Sequence, residues 1–184
     1  EVPSRLRAAS EKSWSVPKAV WIGDVNNSPD DLRRMLYILG ERFSDKLEII
    51  NSAGYWQQMG NSNALNKFIP MVDLARYKYL IDIRGWSFYA RMTRLLQMSR
   101  VVLRVESIYK EWYDDYLIPM KHYVPIKADM SDLISKIDYL ENRSDIYEEI
   151  ADGSLSFADK YLQPEAYLCY LKNVILRYGI KKDK

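Results

Sequence analysis

Short apolar runs alternate with segments of helical spacing along most of the chain, and this alternation narrows the fold more than any other feature. The runs lie at residues 18–22, 46–50, 79–83, 101–105 and 122–126. Tyr79-Leu-Ile-Asp-Ile83 shows little polar–apolar alternation, as expected of a strand covered on both faces. Strands separated by helices need crossover connections, and crossovers make the strands of one sheet parallel. The predicted fold class is therefore α/β, a Rossmann-like, mainly parallel sheet with helices on both faces. Its 184 residues can bury one substantial core. Residues 1–16 read as a polar lead-in and 17–184 as a single domain.

The helical segments follow from spacing and punctuation. Ser28 is placed to cap a helix with Pro29 at its first position, and Leu32, Met35, Leu36 and Leu39 follow at helical spacing. Further helices are predicted at 70–76, 88–98 and 109–117. Ser131 reads as the cap of another, with Leu133, Ile137 and Leu140 on its face. Two stretches cover 143–161, and a last helix opens at Pro164 and stops at Gly179, with Leu168, Leu171, Ile175 and Tyr178 on one stripe. Residues 51–67 read as a loop.

Composition excludes several functions. The 27 basic and 25 acidic residues give a net charge of +2, too even for a nucleic-acid coat or a polybasic membrane binder. No apolar run approaches the length of a membrane span. No signal peptide opens the chain, and it starts at Glu1, as a processed or excised chain would. Cys169 is the one cysteine, so no internal disulfide forms, which is compatible with a reducing compartment; one His and one Cys do not make a zinc site of the usual type. Cytoplasm and secretory-pathway lumen both remain open.

In an open parallel sheet, ligands bind at the carboxyl ends of the strands, beside helix N-termini. Two such junctions carry anion-binding chemistry. One is Gly23-Asp-Val-Asn-Asn-Ser-Pro29, with Arg33 and Arg34 in the helix that follows. The other is Arg84-Gly-Trp-Ser-Phe-Tyr-Ala-Arg91. Each offers a glycine, backbone N–H groups and an arginine, the groups a phosphate or diphosphate needs. Neither is a G-x-G-x-x-G or Walker loop, so ordinary turns with surface arginines are the competing reading. No G-x-S-x-G and no D-x-D occurs, and no metal site is predicted. His122 has no motif-level nucleophile partner and reads as structural. Asp30-Asp31 and Asp114-Asp115 read as solvated faces, and the tyrosine-rich stretch 109–123 as core packing.

Several segments occur in a telling order: Tyr77-Lys-Tyr-Leu-Ile-Asp-Ile-Arg-Gly85, Arg91, Ser99-Arg-Val-Val-Leu103, Glu111-Trp-Tyr113, and Lys121-His-Tyr-Val-Pro-Ile-Lys-Ala-Asp-Met-Ser-Asp-Leu133. Together they resemble the carboxyl-terminal half of the Rumi and capsule-associated-protein family, glycosyltransferase family 90. Pro17-Lys-Ala-Val-Trp-Ile-Gly23 resembles that family's strand before its nucleotide loop, and the likeness runs from about residue 17 to 180.

The resemblance implies one lobe of a two-lobed, GT-B-type transferase. Such an enzyme moves glucose, xylose or a similar sugar from a UDP-sugar to a protein or glycan hydroxyl, with inversion and without a metal or other cofactor. By the same resemblance the donor contacts are Gly23, Asn26, Asn27 and Arg33 in the first junction and Gly85, Trp86, Ser87, Tyr89 and Arg91 in the second. Glu111 is a candidate for the ribose hydroxyls. Arg91 matches the arginine that neutralises the diphosphate; Arg33 is the better match for the second basic contact, with Arg34 the alternative. On this reading, removing Arg91 weakens UDP binding and leaves the ligand-free melting temperature near wild type. Ile22 stands where the family usually has Arg, and Tyr89-Ala90 where it usually has Ser-Phe, departures that bear on the sugar. The family's catalytic base belongs to an amino-terminal lobe, expected upstream of this chain, so no catalytic residue is named. The alternative is a non-catalytic nucleotide-sugar-binding or structural domain of a larger polysaccharide-assembly protein.

Overall fold

The computed structural model describes residues 2–11, 13–53, 69–86 and 91–179. Five strands form one sheet: β1 (Val16–Gly23), β2 (Leu47–Asn51), β3 (Tyr77–Asp82), β4 (Val101–Val105) and β5 (Val124–Ile126). Every pairing is parallel and the order is β2-β1-β3-β4-β5. All five predicted strands are present. β3 and β4 are central, and β4 is buried at every position, which is why these runs lack alternation.

Odd and even strand positions feed two cores. Ala19, Trp21, Tyr79, Ile81, Val101 and Leu103 point to one face. There they meet Leu32 and Leu36 of α2 (Leu32–Arg42), Leu133 and Ile137 of α4 (Leu133–Glu141), and Ile150 of α5 (Ser144–Tyr161). Val20, Ile22, Leu80 and Val102 point to the other. They meet Leu6 of α1 (Val2–Ser10), Leu74 of the 3-10 helix Met71–Arg76, Met92 of α3 (Met92–Leu95), and Phe157 of α5. Helices therefore cover both faces, as predicted. α6 (Pro164–Gly179) closes the chain, and Leu168, Ile175 and Tyr178 of its apolar stripe are exposed.

Several local expectations are corrected. The lead-in holds a helix, α1, anchored through the buried Leu6. Ser28 caps nothing: Asp31 adopts φ 53°, a left-handed conformation that breaks the run from Pro29, and α2 starts at Leu32. Ser131 is likewise not the cap, because α4 begins after Asp132, whose Oδ1 accepts the Lys127 N–H. The expected helix at 109–117 is only the 3-10 turn Asp114–Tyr116. α3 stops after Leu95, and the predicted start of that helix at 88–90 lies outside the described residues. Residues 143–161 hold one helix rather than two.

Candidate functional site

The strand order reverses direction of growth between β1 and β3. At such a switch point the connections leave to opposite sides and open a crevice at the carboxyl edge. The two junctions singled out by sequence are the loops flanking this crevice, after Gly23 and after Asp82.

Arg33 stitches the loops together. Its Nε donates to the Arg84 carbonyl at 3.0 Å and its Nη1 to the Asp24 carbonyl at 3.2 Å. Arg34, one position on, faces outward and bonds Asn26 Oδ1 at 3.0 Å. Of the two arginines, Arg33 is thus the inward one and Arg34 the outward one. Asn26 and Asn27 are exposed on the first loop, where both backbone amides are held by Asp24. Gly85 lies over the Arg33 guanidinium, Trp86 is exposed beside it, and Arg84 pairs with Asp30. Asp30 and Asp31 are exposed, as expected, and Asp30 also fastens the second loop through Arg84. Ser87 and Tyr89 lie outside the described residues.

Arg91 reaches the crevice from the turn before α3. Its Nη1 donates to the Ile22 carbonyl at 2.7 Å, at the end of β1. Both guanidinium carbons stand over the Trp21 ring, Arg33 at 5.4 Å and Arg91 at 5.7 Å from its centroid. Burial pushes the Arg33 guanidinium down to about 10, and the neighbouring Arg91 charge adds to that. Burial likewise pushes Arg91 down, opposed by Asp82. Two guanidinium groups thus share one desolvated corner and disfavour each other, a corner suited to an anion.

Beneath them sits Asp82, fully buried, with no hydrogen-bond partner for either carboxylate oxygen among the described residues. Trp21 Nε1 and Ser28 Oγ are also buried, with no hydrogen-bond partner among the described residues. Asp82 is in register with Arg104 of β4. Arg104 forks onto Asp114 at 2.6 and 2.9 Å, so Asp114 is no solvated residue. Asp114 Oδ2 also accepts the Glu111 N–H at 2.8 Å, fixing the loop that carries Glu111. Burial and Asp114 both raise the Glu111 carboxyl pKa, against the pull of Arg104.

Next to this loop opens a cleft of about 680 Å³, walled by Arg104, Tyr109, Lys110, Tyr123 and Pro125 among others. Arg84 stands 5.6 Å over the Tyr109 ring and joins the cleft to the crevice. His122 is structural: its Nδ1 accepts the Ile118 N–H at 3.0 Å and its ring packs on Phe157. No cluster of three or more His, Cys, Asp or Glu able to hold a metal occurs among the described residues, and none of their helices is long and apolar enough to cross a membrane.

The family model for "Glycosyl transferase family 90" matches residues 4–181. The chain belongs to this family. Protein O-glucosyltransferase 2 of Danio rerio is 32% identical over 115 residues, 62% of the family 90 chain and 23% of the relative. Protein O-glucosyltransferase 3 of Homo sapiens is 30% identical over 129 residues, 70% of the chain and 25% of the relative. The chain thus spans about a quarter of these relatives. Among solved structures, the C-terminal domain of a group 1 glycosyl transferase (LpcC) from Francisella tularensis superposes with a TM-score of 0.56 at 10% identity, covering 87% of the chain and 92% of that domain. S. aureus TarM, solved as a mutant with Fondaparinux, alpha-GlcNAc-glycerol and UDP, gives 0.56 at 16% identity, over 88% of the chain and 36% of TarM. These likenesses show the fold: the family 90 chain has the Rossmann-like, parallel-sheet fold of GT-B glycosyltransferases.

Sequence reasoning missed Trp21, the burial of Asp82 and the Arg104–Asp114 fork in this family 90 chain. A signal was present for two of them: Asp82 and Arg104 are charged positions within the apolar runs 79–83 and 101–105, and neighbouring strands put them side by side.

Proposed function

We propose that this chain is the donor-binding lobe of a UDP-sugar-dependent glycosyltransferase that passes glucose, xylose or a similar sugar to a protein or glycan hydroxyl, with inversion and without a metal. The carrying observation is the pairing of Arg33 and Arg91 over Trp21 at the switch point. The diphosphate sits at this corner, where its charge relieves the mutual repulsion of the two guanidinium groups. The nucleoside lies along the cleft after β4, with Glu111 toward the ribose. The O-glucosyltransferase relatives and the UDP of the TarM complex support this choice of donor.

The chemistry fits the placement. As the glycosidic bond breaks, negative charge grows on the departing diphosphate. Arg91 is already positioned by Ile22 and Trp21, so little reorganisation accompanies the stabilisation of that charge. Arg33 spends two donors on the loops, so its contribution is its charge and the shape it gives the crevice. An acid from a facing lobe deprotonates the acceptor hydroxyl, and closure of the two lobes keeps water from the donor.

A thermal-shift panel tests the reading: UDP-glucose, UDP-xylose and UDP, with GDP-mannose as control, each with and without a chelator. A ligand that binds only the folded chain raises the melting temperature. UDP ligands should raise it equally with chelator present. A shift with GDP-mannose alone, or a UDP shift that vanishes on chelation, overturns the reading.

A further inference from the structure

We propose that Asp82 is the internal counter-ion of the donor corner: it balances Arg91 and Arg33 while the crevice is empty, and takes up one proton from solvent when a diphosphate replaces it. This rests on the donor-binding reading above and makes Asp82 a positioning residue rather than a catalytic one.

The geometry carries it. A carboxylate buried in full without hydrogen bonds is costly and persists only where charges compensate it. The charged and titratable groups facing Asp82 come from every side. Arg33 comes from α2, Arg91 from the turn before α3, Arg104 from β4, and Asp114 and Tyr113 from the segment after β4. The β1 neighbour, Ile22, is apolar and offers only the carbonyl that Arg91 already uses. Of the three arginines, Arg104 is forked onto Asp114 and Arg33 onto two loop carbonyls. Arg91 makes a single hydrogen bond among the described residues, so its charge is the one balanced mainly by Asp82.

Burial raises the Asp82 carboxyl to about 7, while Arg91, Arg104 and Arg33 pull it down and Asp114 pushes it up. Near neutral pH it therefore stands between its two protonation states. A diphosphate on Arg91 adds negative charge and withdraws part of the compensating positive charge. Both effects favour the neutral acid, so solvent supplies a proton and no other group changes. Bound-state protonation above the free-state value means binding tightens as pH falls. Donor binding is thereby proton-linked, and the charge of Arg91 passes from Asp82 to the ligand while its bond to the Ile22 carbonyl keeps it in place.

The test is calorimetric titration of UDP-glucose into the 184-residue chain at pH 7 in buffers of different ionisation heat. UDP-glucose is chosen because its diphosphate is a diester with no group titrating near neutrality. The wild-type chain should take up a substantial fraction of one proton per ligand, and bind about threefold to tenfold tighter at pH 6 than at pH 8. Asp82→Asn should bind with no proton uptake and little pH dependence over that range. A carbon-13 titration of the ligand-free wild-type chain, which needs no variant, should show one aspartate carboxyl titrating above pH 6. Binding by the wild type without proton exchange, wild-type uptake retained in Asp82→Asn, or no aspartate titrating above pH 6 overturns the proposal and leaves the donor reading standing. Failure of UDP-glucose to bind at any pH overturns both.

Discussion

Gly85 packs its backbone onto the Arg33 guanidinium: a Cβ at this position would lie 2.8 Å from Nη2 and 3.1 Å from the Asn27 carbonyl oxygen. The glycine is therefore what allows the second loop to close over the first. Gly85→Ala must displace the arginine head or part the loops. UDP affinity should fall by about 1 kcal/mol or more, the scale of one lost hydrogen bond. The melting temperature without ligand should fall as well, because a displaced guanidinium loses its bonds to the Arg84 and Asp24 carbonyls. Titration calorimetry checks it; unchanged UDP affinity would place the diphosphate elsewhere.

Arg91→Ala should weaken UDP by roughly 1.5–3 kcal/mol, the range for hydrogen bonds to charged groups, and leave uridine nearly unaffected. The sequence-based expectation of an unchanged melting temperature is revised by the structure. Arg91 satisfies the Ile22 carbonyl and compensates Asp82, so its loss also lowers stability above pH 7, where Asp82 is charged. Adding Asp82→Asn should restore much of that stability and none of the UDP affinity. Equal weakening of UDP and uridine would make Arg91 purely structural.

His122 predicts an acid-side loss of stability. Burial, then Lys121, holds its imidazole pKa below 6.5 in the folded state. The unfolded chain therefore binds the proton first, and stability falls as pH drops below about 6.5. Protonation also removes the Nδ1 acceptor of the Ile118 N–H. His122→Asn keeps an acceptor but cannot titrate, so its melting temperature should fall less between pH 7.5 and 5.5 than that of the wild type. Equal falls would remove His122 from the account.

Gly153 marks where α5 passes the chain leading into β5: a Cβ there would meet the Lys121 carbonyl oxygen at 2.0 Å. That atom is backbone and cannot swing away. Gly153→Ala should cost about 1–3 kcal/mol of stability, as overpacking does. Chemical denaturation measures it, and a neutral result would mean that α5 shifts freely along the sheet.

The sheet was readable because central parallel strands are buried on both faces and show as apolar runs without polar–apolar alternation, each holding a single charge. The site was readable only as two loops. Which arginine turns inward depends on the left-handed Asp31, which moves the helix start to Leu32, and no local pattern announces that conformation. The aromatic stretch after β4 reads as a helix by composition, yet the fork between Arg104 and Asp114, ten positions apart, holds it as a loop. α1 was invisible because its sequence shows no extended apolar stripe at helical spacing, although Leu6 and Ala9 pack on the core.

The hydrogen bond from Arg91 to Ile22 spans 69 positions of chain. At a synthesis rate of 5–20 residues per second, β1 waits about 3–14 s between its own emergence and that of the turn carrying Arg91. For most of that interval, until β3 itself emerges, the flank of β1 that will pair with it is an open strand edge. The donor corner is thus a late product of translation, and the window before it closes is where mispairing and aggregation compete with folding.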